Sequence, residues 1–151
     1  MQKISNSAKY TQEFAKKFAK KLARENGQVL ALAGDLGSGK TCFVQGLARG
    51  LGIKKPITSP TFILIKEYRV SSKHLAAKNL IHIDLYRLRG VDPVFEKELQ
   101  EYFTPENLVV IEWPEKIKHI LPSNTKWFNF EYLDENRRKI VLSEENYDFG
   151  N

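Results

Sequence analysis

The segment Gly34-Asp-Leu-Gly-Ser-Gly39-Lys40-Thr41 fits the pattern G-x-x-x-x-G-K-[ST], and that spacing suits one kind of chemistry. Its glycines let the chain wrap so that successive backbone N–H groups point inward, and a helix N-terminus directly behind them adds partial positive charge. Phosphate is the ligand for such a cradle. Lys40 would neutralise the β and γ phosphates of a nucleotide, and the Thr41 hydroxyl is placed to ligate a Mg²⁺ ion carried in with it. A site of this type also needs a carboxylate near the metal and a group that orients the attacking water. Asp84 follows Leu80-Ile81-His82-Ile83, and Glu112 follows Leu108-Val109-Val110-Ile111. Each stands where a buried strand would end beside the loop, and the residue types leave open which of the two holds the metal.

The flanking elements must present the loop correctly. Gln28–Ala33 is a short apolar run between Gly27 and Gly34, the look of a buried parallel strand. Residues 40–50 read as the helix behind the loop, with Phe43, Leu47 and Leu51 on one side and a stop at the Gly50/Gly52 region. Upstream, Thr11 reads as the N-cap of an amphipathic helix carrying Phe14, Phe18 and Leu22 and ending at Asn26-Gly27. Residues 62–70 and 79–85 read as strands joined by the polar loop 71–78, antiparallel because that loop is too short for a crossover helix. A short helix follows Asp92-Pro93 through Tyr102, residues 108–111 form another buried strand, and 127–133 with 139–142 form a last hairpin across Asp134-Glu135-Asn136.

A length of 151 residues with 42% hydrophobic and 28% charged side chains suits one soluble globular domain, residues 1–151. No apolar stretch approaches the roughly 18 residues of a membrane span. The first residues lack the apolar run of a secretory signal, and Cys42, the one cysteine, forms no internal disulfide, so a cytoplasmic setting is expected. Residues 1–24 carry seven basic side chains against Glu13 alone, which accounts for the whole net charge of +6. The lysines of that first helix read as a solvated face, with an acidic protein or tRNA phosphate as the sharper alternative. Cys42 reads as a small residue beside the loop rather than a redox switch. His74, His82 and His119 have no partner at metal-ligand spacing, so zinc is not expected, and His82 reads as an ordinary strand residue. Arg87 and Arg89 read as surface residues rather than a finger on the phosphates.

The strings GDLGSGKT (34–41), SPTF (59–62), HIDLYRL (82–88) and IEW (111–113), in this order and at these separations, resemble the TsaE family. These are small bacterial P-loop ATPases required for threonylcarbamoylation of the adenosine beside the anticodon of many tRNAs. The resemblance covers about residues 11–142 and implies an α/β, P-loop NTPase-like three-layer domain with a mixed central sheet. It implies further that Thr41 and Glu112 are the Mg²⁺ ligands and that Asp84, with Lys40, serves catalysis. Gly37, Ser38, Gly39, Lys40, Thr41 and Cys42 would hold the phosphates of ATP, Trp113 would adjoin the metal ligand, and Thr61 would lie in a switch-like loop near the γ-phosphate. Thr11 and Arg137 resemble positions near the base. The partners implied are the TsaD and TsaB proteins, with tRNA reached through that complex, and hydrolysis slow in the chain alone. A nucleotide-gated tRNA- or protein-binding module without significant hydrolysis is the alternative. The family loop often has alanine and threonine where this chain has Ser38 and Cys42; neither change touches Lys40 or Thr41.

Overall fold

A computed structural model describes residues 1–22, 24–60 and 63–143. Seven strands form one sheet: β1 (Gln2–Ser5), β2 (Gln28–Ala33), β3 (Ile65–Arg69), β4 (Asn79–Asp84), β5 (Asn107–Glu112), β6 (Lys126–Tyr132) and β7 (Arg138–Ser143). Their spatial order is β1-β7-β6-β2-β5-β4-β3. The four inner strands β6, β2, β5 and β4 are parallel, whereas β3, β7 and β1 join by antiparallel pairing. The sheet is therefore mixed, as the resemblance implies.

Both faces are covered. Leu30, Leu32, Leu80, Leu108, Val110 and Phe128 point to the side of helices α1 (Ala8–Leu22) and α2 (Lys40–Gly50). Val29, Ile81, Ile83, Val109 and Ile111 point the other way, onto Leu99 of α3 (Pro93–Gln100) and Ile117 of a 3₁₀ segment, Pro114–Ile120. Every residue of β2 and β5 is buried, which is why those strands read as unbroken apolar runs rather than as alternation. Asp92 caps α3 by accepting a hydrogen bond from the Phe95 amide at 2.9 Å.

Three local expectations change. The first helix begins at Ala8, and its cap is Ser7, whose Oγ accepts from the Tyr10 amide at 3.1 Å. Thr11 is not the N-cap: it is buried in the first turn, with Oγ1 2.7 Å from Ser5 Oγ. The edge strand β1 and the 3₁₀ segment were not expected; β1 buries only Ser5, so it carries no hydrophobic period to read. Finally, the strand expected over 62–70 is described only as Ile65–Arg69.

Helices α1 and α2 meet through small residues. A Cβ on Gly46 would lie 2.4 Å from the Gln12 carbonyl oxygen and 2.7 Å from Ala15 Cβ, and one on Gly50 would lie 2.4 Å from the Lys16 carbonyl oxygen. Phe14 and Phe18 flank this contact, tilted and edge-on against Phe43 and Phe128. Alanine is the better helix former by about 1 kcal/mol, but here a methyl would press on backbone that cannot turn aside. Gly46→Ala is therefore expected to lower the unfolding free energy by about 1–3 kcal/mol, measured by denaturant titration; an increase in stability would show that the helices part without cost.

Candidate active site

The carboxyl end of β2 delivers the chain into the glycine-rich loop. Gly34, at φ +136°, passes so close to β6 that a Cβ would stand 2.3 Å from the Phe130 carbonyl oxygen, so only glycine allows the strand to leave the sheet there. The loop closes at Gly39, the N-cap of α2. Gly39 supplies no side-chain cap, so the first N–H groups of α2 remain available to a ligand.

Lys40 is buried against its own loop. Its Nζ donates to the carbonyl oxygens of Gly34 at 2.6 Å and Asp35 at 2.8 Å, with the buried Ser38 Oγ at 3.4 Å. The ammonium also lies 4.6 Å from the centre of the Trp113 ring, a cation–π contact. Burial pushes the Lys40 ammonium below its usual range, against the opposing pull of Glu112, Glu115, Asp84 and Asp35. Trp113 in turn stacks at 5.0 Å on Tyr86 and takes a left-handed backbone, φ +60°, a conformation that costs about 1 kcal/mol for a residue with a side chain.

The sheet register decides what stands opposite the loop. Asp84 of β4 pairs with Glu112 of β5, and Glu112 pairs with Leu32 of β2. Thr41 Oγ1 donates to Glu112 Oε1 at 3.0 Å, with Oε2 at 3.3 Å. Asp84 accepts from Ser59 Oγ at 2.9 Å and from the Tyr86 amide at 2.9 Å. One cavity of about 470 Å³ is lined by Gly37, Gly39, Lys40, Thr41, Cys42, Asp84, Glu112 and Trp113, together with Arg87. A second, of about 290 Å³, is lined by Thr11, Gly39, Cys42 and Arg138 among others.

The expected site residues that the structure describes thus converge, with two exceptions. Ser38 sits behind the loop, completely buried. Arg137 is on the exposed turn, paired with Asp134 at 2.6 Å; it is its neighbour Arg138 that reaches the second cavity and donates to the Gly37 carbonyl at 3.3 Å. Thr61 lies outside the described residues. Cys42 donates to the Ala8 carbonyl at 3.4 Å, and burial pushes its thiol up rather than down, which suits the small-residue reading and not a reactive thiolate.

Several contributors escaped sequence reasoning. His82 is not an ordinary strand residue: fully buried, it places Nε2 2.8 Å from Glu112 Oε1. Lys116 of the 3₁₀ segment donates to the carbonyl oxygens of Leu85 and Tyr86, at 2.6 and 2.9 Å, and to that of Leu88, clamping the turn behind Asp84. Ser59 and Tyr86 lie within strings already singled out, but nothing local marks Lys116 or Arg138.

Comparison with known proteins agrees with this architecture. The profile of the family described as "Threonylcarbamoyl adenosine biosynthesis protein TsaE" matches residues 5–140. The chain belongs to the TsaE family. The Treponema pallidum tRNA threonylcarbamoyladenosine biosynthesis protein TsaE is 37% identical over 143 residues, covering 95% of this chain and 100% of that one. The Bacillus subtilis TsaE is 36% identical over 136 residues, covering 90% and 76%. Among solved structures, the crystal structure of Bacillus subtilis YdiB superposes with a TM-score of 0.75 at 30% identity, covering 97% of this chain and 86% of that one. TsaE membership places the chain in the biosynthesis of threonylcarbamoyladenosine in tRNA. Among the described residues no helix is long and apolar enough to cross a membrane.

The buried lysine has a pH signature. Between its lowered pKa and the ordinary 10.5, the unfolded chain holds more protons than the folded one, so the Lys40 contribution to stability rises with pH. Relative to Lys40→Met, the wild-type chain is expected to gain stability as pH climbs toward that value, read from denaturant unfolding of both proteins across pH. A constant difference would remove burial as the governing influence on this side chain.

Proposed function

We propose that the chain is a Mg²⁺-dependent ATPase working as one domain, in the cytoplasm, within a tRNA-modifying complex that includes the TsaD and TsaB proteins. One observation carries this reading: Lys40, Thr41, Asp84 and Glu112, drawn from three separate stretches of sequence, line a single cavity beside uncapped helix N–H groups. The loop amides and the α2 N-terminus receive the phosphates of ATP. Lys40 exchanges its loop carbonyls for phosphate oxygens, which costs little because its ammonium is already desolvated and held at the cavity wall. The donor set fits magnesium: a hydroxyl and one carboxylate, both hard oxygen ligands, 3.0 Å apart, are the small protein share that this ion takes when phosphates and water supply the rest. A magnesium ion held by Thr41 and Glu112 would supply positive charge against the negative charge that develops on the phosphates.

Asp84, level with Glu112 and anchored by Ser59 and the Tyr86 amide, orients the attacking water. Trp113 walls the cavity over Lys40, and Thr61 is assigned to the γ-phosphate on its place in the SPTF string alone. The base end of ATP occupies the second cavity, with Thr11 at its floor and the turn of Arg137 and Arg138 at its rim. In this reading the chain does not handle the threonylcarbamoyl group. Its hydrolysis resets the complex between turnovers, tRNA is met through the partners, and turnover of the isolated chain is slow.

Phosphate release from Mg-ATP tests this, for the chain alone and with TsaD and TsaB, beside Lys40→Ala, Glu112→Ala and Asp84→Asn. Release is expected to rise with the partners and to fall by about 10²-fold or more in each variant, the scale of losing one group that stabilises or orients the transition state. No release in any mixture, with nucleotide still bound, would make the chain a nucleotide-gated binding module and would withdraw the role of Asp84.

A further inference from the structure

We propose that His82 is a positioning residue for Glu112, holding that carboxylate in the orientation in which it meets a metal ion beside Thr41. This rests on the reading of Thr41 and Glu112 as the metal pair. Register places the imidazole correctly: His82 pairs with Val110 and Asp84 with Glu112 across the parallel β4–β5 ladder, so His82, Asp84 and Glu112 share the face beneath α2. The ring is 0% exposed, and its Nε2 lies 2.8 Å from Glu112 Oε1.

Two features separate this contact from packing. Among the described residues His82 Nδ1 has no hydrogen-bond partner, so the ring's one polar contact goes to Glu112, with the hydrogen on Nε2. An imidazole with an orphaned nitrogen is a poor filler in the stretch Leu80–Ile83 of β4, whose other three residues are aliphatic and where an aliphatic side chain would pack without a buried, unpaired polar atom. Glu112 also has few restraints of its own. Among the described residues its carboxylate accepts side-chain hydrogen bonds only from Thr41 and His82. The Thr41 hydroxyl can give a lone pair to a metal while its hydrogen stays on Glu112, and the imidazole is the second donor, fixing the carboxylate at a second point so that it does not rotate about the first. A ligand carboxylate held in this way by a buried neighbour is a common means of tuning metal affinity.

The test uses the full chain and its His82→Leu, His82→Gln and Glu112→Ala variants. Two quantities are read by titration calorimetry: the Mg²⁺ concentration needed for tight ADP binding, and ADP affinity in excess chelator. His82→Leu is expected to raise the Mg²⁺ requirement about 10–100-fold while leaving metal-free ADP affinity and the loop intact. His82→Gln, whose amide nitrogen can donate from nearly the same place as Nε2, should recover most of that loss. An unchanged Mg²⁺ requirement in His82→Leu, with a raised one in Glu112→Ala, overturns the role of His82 alone. An unchanged requirement in Glu112→Ala overturns the metal pair itself, and the proposal with it. Nitrogen NMR of the wild-type imidazole gives a check that needs no variant to fold: a ring bearing its hydrogen on Nε2 supports the contact, and one bearing it on Nδ1 alone refutes it.

Discussion

The parallel register of β2, β5 and β4 is the constraint on which the rest of the molecule depends. Leu32 pairs with Glu112 and Glu112 with Asp84, so two carboxylates finish level with one another on the face that α2 covers. A slip of one residue in β5 would turn Glu112 away from Thr41 and bring Ile111 beneath the helix. Hydrophobicity alone does not forbid that slip, because Leu108 and Val110 on one face are matched by Val109 and Ile111 on the other. The polar contacts at the strand ends break the tie: Glu112 finds hydrogen-bond donors in Thr41 and His82 on one face only, and a buried carboxylate without them is costly.

Around that register the site is built from groups that restrain one another. Lys40 is held by two carbonyls of its own loop and by Trp113. The left-handed turn at Trp113 starts the 3₁₀ segment, which brings Lys116 onto the carbonyls behind Asp84. Strain at Trp113, burial of the Lys40 ammonium and the orphaned His82 nitrogen all lie within this one region. Local rules are broken where a site must be poised and kept elsewhere, and here the two continuous cores on either face of the sheet absorb the cost.

The α1–α2 contact sets what the first helix can show to a partner. Ala15 and Ala19 close against Gly46 and Gly50, so α1 lies flat on α2 and turns its lysines outward. Lys17, Lys20, Lys21 and Arg24 are exposed, and none of them forms an ion pair with a described residue. Much of the chain's excess positive charge is thus displayed on one helix, Lys9, Lys16, Lys17, Lys20 and Lys21 of α1, packed against the α2 helix that begins at Lys40. Any partner that grips this helix is mechanically close to the nucleotide cavity.

The sequence by itself determined the phosphate loop, its strand and its helix, because glycine geometry, a buried apolar run and helix periodicity are short-range properties that act within about ten residues. It determined α3 through Asp92 and Pro93, and the last hairpin through its polar turn, for the same reason. It could place Asp84 and Glu112 at strand ends but could not choose between them without a family resemblance, since that choice depends on which carboxylate stands across from Thr41. Only the tertiary structure decided that Thr11 is a buried side chain rather than a cap, that β1 completes the sheet edge, and that Arg138 rather than Arg137 reaches the second cavity. It alone brought His82 to Glu112 and Lys116 to the turn after β4, pairs separated by 30 and 31 or fewer residues in the chain. Such contacts leave no local trace, because a buried histidine and an exposed one have the same neighbours in sequence, and only strand pairing reveals which carboxylate each will meet.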